Sequence, residues 1–100
     1  MSKEKPIKEI LRQAIDIYGI DQQSTCAIEE LSELIHALTG MKRNNYSCLP
    51  PQIDNLEEEI ADVELMLEQV KFMFNIKPEA IEGIKKRKLL RLKLRMERVK

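Results

Sequence analysis

The stretch AIEELSELIHAL, residues 27–38, decides how this chain is read. Its apolar residues Ile28, Leu31, Ile35 and Leu38 recur every three or four positions, the repeat of a helix with one side in a core. The same stretch carries Glu29, Glu30 and Glu33, and no Lys or Arg occurs between Arg12 and Lys42. Successive helical residues step by about 100°, so Glu30 and Glu33 share a face, with Glu29 at its edge. Cys26, Ala37 and Gly40 complete that face, which is small and uncharged apart from the acids, unlike a solvated surface. One helix thus combines an apolar stripe, expected to be buried, with a narrow acidic side.

The flanking sequence is helical as well. Gly and Pro are few and sit at boundaries, and no alternating apolar pattern of a strand occurs. A first helix is predicted over residues 6–18, with Pro6 in its first turn and Gly19 as its C-terminal cap. Its buried stripe is Ile7, Ile10, Leu11, Ala14, Ile15 and Tyr18. The quoted stretch belongs to a second helix, residues 22–41, with Asp21 as N-cap. KRNNYSCLPPQI, residues 42–53, reads as a loop. A third helix runs from Asp54, capped with Glu57 reaching back, to about Asn75. Its stripe is Leu56, Ile60, Val63, Leu67, Val70 and Phe74, while Leu65, Met66, Phe72 and Met73 lie off it. A helix apolar on two sides is expected to meet a partner chain. A fourth helix starts at Pro78 and runs to the end. The prediction is an all-α, four-helix, oligomeric domain spanning residues 1–100, built on a helical hairpin.

The third predicted helix repeats the acidic arrangement: Glu59 and Asp62 share a face with Asn55 and Met66. If the second and third helices pack antiparallel, the two carboxylate pairs face each other. Partly buried between helices, such a cluster costs several kcal/mol per uncompensated ion, on the order set by desolvation. Protonation, a Lys or Arg from the fourth helix, or bound divalent cations would each answer that cost. An all-oxygen donor set suits Mg²⁺ first and Mn²⁺ second. Glu33 and His36 match half of the Glu-x-x-His pattern of di-iron bundles, which needs the pattern twice. The chain has one His, so an oxygen-only site fits better, and His36 is expected to be a partly exposed helix residue.

Composition narrows the function classes. The 100 residues are 43% apolar and 34% charged with net charge zero, which excludes a disordered chain. Cys26 and Cys48 form neither a disulfide framework nor a zinc pattern and are expected as reduced thiols in the cytoplasm. MSKEKPIKEI has no apolar core of a secretory signal, and no run of about 18 apolar residues could span a membrane. Charge is nonetheless segregated. Residues 54–68 hold seven acids and no base, whereas residues 85–100 hold nine Lys or Arg and one acid. That basic segment gives a nucleic-acid-binding module as one alternative, disfavoured by the zero net charge and by the acidic helices. A non-catalytic helical oligomer is another.

EELSE (Glu29, Glu30, Glu33) followed after 25 residues by EIAD (Glu59, Asp62) resembles the EExxE…ExxD signature of the all-α nucleoside triphosphate pyrophosphohydrolases. The resemblance covers residues 22–98 and is greatest to the short, single-domain MazG-like members. It implies a four-helix bundle with the site between the second and third helices, working as a dimer or tetramer. It also implies Mg²⁺-dependent cleavage of an NTP or dNTP between the α- and β-phosphates, giving a monophosphate and pyrophosphate. Glu30, Glu33, Glu59 and Asp62 would be the metal ligands, and Glu29 the residue that orients water or takes its proton. Lys85, Lys88 and Arg91, at i, i+3 and i+6, would reach the β- and γ-phosphates. Asn45 and Tyr46 in the loop are candidates to touch base or sugar, with Tyr46 equally placed as a core-edge residue. No base-reading motif identifies the substrate.

Overall fold

The computed structural model describes residues 4–99, with side chains described from Pro6 onward. These residues form three helices and no strand: α1 (Glu4–Arg43), α2 (Pro50–Met73) and α3 (Pro78–Val99). Four helices were expected. The first two share the range α1 and are divided where Gly19 takes φ 85° and ψ 162°. That backbone region is open essentially to Gly alone. Gly19 therefore ends one helical segment, as expected, and the next begins directly after it, the two meeting at a kink within α1.

Both helices of the hairpin end on an Asn in left-handed conformation. At the end of α1, Tyr46 N–H donates to Met41 O and Asn45 N–H to Lys42 O (2.7 and 3.2 Å), with Asn45 at φ 55°. At the end of α2, Ile76 N–H donates to Lys71 O and Asn75 N–H to Phe72 O (2.9 and 3.3 Å), with Asn75 at φ 51°. These paired bonds make a Schellman motif, which satisfies the last carbonyls of a helix. α2 begins four residues before the expected Asp54. Pro50 and Pro51 occupy its first turn, where a missing N–H costs nothing. Leu49 N–H donates to Gln52 Oε1 at 3.2 Å, so Gln52 takes the capping role expected of Glu57.

α1 and α2 pack antiparallel, and the side of α1 turned toward α2 is the acidic one. Gln23 and Ala27 are buried there, with Glu30, Leu34 and Ala37 half-buried; Val63 and Gln69 are buried opposite. The expected core stripe is exposed instead, with Ile28 64% and Ile35 65% accessible and Leu31 and Leu38 also exposed. Other expected stripes are buried only in part. Leu11 is buried and Ala14 and Ile15 half-buried, but Ile7, Ile10 and Tyr18 are exposed. On α2, Ile60 and Leu67 are exposed beside buried Val63, as is Phe74 just past its end. The physical reason is that a two-helix hairpin covers one side of each helix only. At about 100° per residue, Ile28, Leu31 and Ile35 fall on the same flank of the antiparallel pair as Ile60 and Leu67. Glu33 and Asp62 fall on the opposite flank.

α3 packs on neither α1 nor α2 and buries none of its residues. The resulting surface is large. The chain exposes 8446 Å², whereas a folded monomer of this mass exposes about 5,900 Å². Its radius of gyration is 17.1 Å, against about 13 Å for a globular chain of 100 residues.

Candidate metal centre

The hairpin's antiparallel register brings together the two carboxylate pairs. Glu30 and Glu33 stand one turn apart on α1, Glu59 and Asp62 one turn apart on α2. Each offers an oxygen, and these four oxygens lie within 4.8 Å of one another. Glu30 and Glu59 are half-buried, while Glu33 and Asp62 are exposed. The cluster therefore has an inner wall formed by one acid from each helix and a rim open to solvent.

No base neutralises it. The ion pairs among the described residues are Lys71–Glu68 at 3.1 Å and Lys85–Glu82 at 3.5 Å, each within a single helix. Glu30 Oε2 and Glu59 Oε2 are buried without any hydrogen-bond partner. Burial, then the neighbouring charges of Asp62, Glu33 and Glu59, push the Glu30 carboxyl up to about 6 from its ordinary 4.5. Glu59 is raised as well, first by burial and then by Glu33 and Asp62.

These properties fit a hard divalent cation. Buried, unpartnered carboxylate oxygens are costly without a donor or a cation, and four oxygens with no nitrogen or sulfur match Mg²⁺ or Mn²⁺. Two oxygens on one Mg²⁺ are at most about 4.2 Å apart, given bonds of about 2.1 Å. A small rotation of exposed Glu33 or Asp62 closes the difference.

The other expected site residues are not gathered here. Glu29 is exposed on α1, outside the group of four. Lys85, Lys88 and Arg91 are exposed on α3, which does not pack on the hairpin, and Lys85 pairs with Glu82 of its own helix. Tyr46 is 63% accessible, so it is not a core-edge residue. His36 is exposed, as expected, and takes no place in the carboxylate cluster.

Sequence reasoning missed two features beside the cluster. Gln69 Nε2 donates to Gln23 Oε1 at 2.7 Å inside the helix interface. Nothing local in the sequence marks two Gln 46 positions apart as partners. Nearer the α1–α2 loop, His36, Ala37, Gly40, Met41, Asn44, Gln52 and Asn55 line a small open cavity. Its one legible signal is Asn55, which shares the helix face of Glu59 and Asp62.

No family model, curated protein or solved structure matches the chain.

Proposed function

We propose that the protein is a MazG-like nucleoside triphosphate pyrophosphohydrolase that uses Mg²⁺, with Mn²⁺ as a substitute. The observation that carries this reading is the convergence of Glu30, Glu33, Glu59 and Asp62, with two buried oxygens left without a partner. These residues would hold the metal, which supplies charge neutralisation of the triphosphate and a more acidic bound water. Glu30 and Glu59, fixed in the helix interface, orient the donor set; Glu33 and Asp62, at the rim, adjust to the incoming phosphates. Glu29, one residue before the cluster and exposed, is proposed to orient the attacking water or take its proton. Phosphoryl chemistry of this kind depends on positioning and charge neutralisation, which this arrangement supplies without a Ser or Cys nucleophile.

The protein is further proposed to work as a homo-oligomer, a dimer or tetramer. The excess exposed surface, roughly 2,500 Å² per chain by the scaling of area with mass, is in the range buried by obligate interfaces. Assembly would also give α3 a surface to pack on. Lys85, Lys88 and Arg91 remain phosphate-binding candidates only if assembly carries an α3 to a carboxylate cluster.

The test is pyrophosphate release from the eight common NTPs and dNTPs with Mg²⁺. The expected result is turnover of at least one, abolished by Glu30→Ala and by Asp62→Ala. No release from any of them at high enzyme concentration, with Mg²⁺ or Mn²⁺, would sink the proposal. A second reading rests on α3, a free-standing helix with eight of the nine C-terminal bases among its described residues. It predicts nucleic-acid binding that weakens steeply with salt.

A further inference from the structure

α3 stands off the hairpin although its sequence is built to pack. Leu89, Leu92, Met96 and Val99 follow one another at spacings of three, four and three, so they share one side of the helix, and all are exposed. Leu90 and Leu94 fall outside that stripe. A helix in a protein owes most of its stability to the packing of such a side. The exposed flank of the hairpin has the same pattern. Ile28, Leu31, Ile35 and Leu38 repeat the spacing of three, four and three on α1, with Ile and Leu in alternation. That is the repeat with which one helix receives the side chains of another. Each stripe runs for about 15 Å along its helix, at a rise of about 1.5 Å per residue. Ile60 and Leu67 widen the flank on α2, so a helix laid along it would touch both arms of the hairpin.

The edges of the two stripes are complementary in charge. On α3, Lys88 and Arg95 lie along one edge and Lys86 and Lys93 along the other, each pair seven residues apart. On α2, Glu57 and Glu64, also seven apart, are exposed beside Ile60 and Leu67. None of these acids and bases takes part in an ion pair among the described residues. Whichever way an α3 runs along the flank, one of its basic edges meets the two acids. The α1 edge of the flank is uncharged. Thr25, Ser32 and Thr39 stand seven apart there, and their hydroxyls donate to Asp21 O, Ile28 O and Ile35 O of the same helix (3.1, 2.9 and 2.7 Å). The second basic edge therefore faces hydroxyls and water, with no like charge opposite.

We propose that the occupant of the hairpin's apolar flank is α3 of a second copy of this chain. The chain's own α3 follows α2 after residues 74–77 and packs on neither arm of its hairpin. Two chains related by a two-fold axis exchange these helices, each donating its α3 and receiving the other's, so the contact closes on itself. The surface in excess of a compact monomer, roughly 2,500 Å² per chain, is of the size that such a double contact buries. The proposal rests on the homo-oligomer reading above, whose contact it names, and is independent of the reaction. It also sets α3 on the flank opposite Glu33 and Asp62, where its bases join chains together instead of reaching the carboxylates of the hairpin they dock on.

The test is complementation between two variants of the full chain. Ile35→Glu spoils the flank and spares α3, whereas Leu92→Glu spoils the α3 stripe and spares the flank. Both residues are exposed in the single chain, so the packing of α1 on α2 is left alone. Ile35→Ser and Leu92→Ser repeat the comparison without added charge. Association is read as mass by light scattering at micromolar concentration. The native chain should be at least a dimer, and each Glu variant alone should associate tenfold or more weakly. An equimolar mixture of the two should be heavier than either alone, because the intact α3 of the first seats on the intact flank of the second. Undiminished association of Leu92→Glu means that flank meets flank, and undiminished association of Ile35→Glu means that α3 meets α3. Either result, or a mixture no heavier than its components, overturns the exchange and leaves the oligomer reading standing. A native monomer, whether its α3 is free or folded onto its own hairpin, ends both.

Discussion

Gln69 donates its side-chain amide to Gln23 across the α1–α2 interface at 2.7 Å, and Gln69 is the most buried side chain of the pair at 1% accessible. Gln23 lies seven residues before Glu30, and Gln69 seven residues after Asp62. The bond therefore sits two turns from the cluster on both helices and holds them in the register that brings the carboxylates together.

Replacing one partner should hurt more than replacing both. Gln69→Leu leaves the Gln23 amide buried and alone, at a cost of about 1–3 kcal/mol. Gln23→Leu together with Gln69→Leu should recover that stability, because two apolar groups pack without an orphan. The double variant should still bind Mg²⁺ more weakly, since the register is no longer pinned. Thermal unfolding with a Mg²⁺ titration separates these effects; equal destabilisation of single and double variants contradicts the argument.

Glu30 makes stability depend on pH. Its folded-state value of about 6 lies above its ordinary 4.5. Between those values the native chain keeps a proton that the unfolded chain has lost, so stability falls as pH rises from about 4.5 to 6 and then levels off. The melting temperature without metal should drop across that window, and Glu30→Gln should flatten the drop. Mg²⁺ should raise the melting temperature at pH 7.5 and do little at pH 5, where protons compete for the same oxygens.

At Gly19 the backbone is set at φ 85° and ψ 162°, and an added Cβ would meet open space. Gly19→Ala should nonetheless destabilise the protein by about 1–3 kcal/mol, from backbone strain alone. Gly83, in the middle of α3 and also unobstructed, is the control: Gly83→Ala should be neutral or stabilising. Equal denaturation midpoints for the two variants would show that the kink is not needed.

Self-association should fail when the apolar flank is charged. Ile35→Glu, alone or with Leu31→Glu, places carboxylates on the exposed apolar flank. Light scattering at micromolar concentration should change from at least a dimer to a monomer. A native monomer at that concentration would rule out the proposed assembly.

Much of the hairpin was legible because its signals are local. Helical periodicity marks α2 and α3, Pro78 starts α3 where expected, and the i, i+3 spacing of Glu30/Glu33 and Glu59/Asp62 brings each pair to one face. Which face meets the neighbouring helix was not legible. The Ile28–Leu31–Ile35 side satisfies apolar periodicity better, yet the side bearing Ala27, Glu30 and Leu34 is the one packed against α2. Periodicity reports that a stripe exists; the number of neighbours decides whether it is covered. The Gln23–Gln69 bond escaped for a related reason, being a contact between positions that nothing in either helix singles out. Gly19 was legible as the position where one helical segment gives way to the next, because only Gly takes that backbone region freely.

The placement of acids and apolar residues on opposite flanks of one hairpin would separate the proposed assembly from the proposed chemistry. Chains that join through the Ile35 flank leave the Glu33 and Asp62 rim facing water. On the proposed reading every protomer would then carry its own doorway, and the count of reaction centres would equal the count of chains, whatever the size of the assembly.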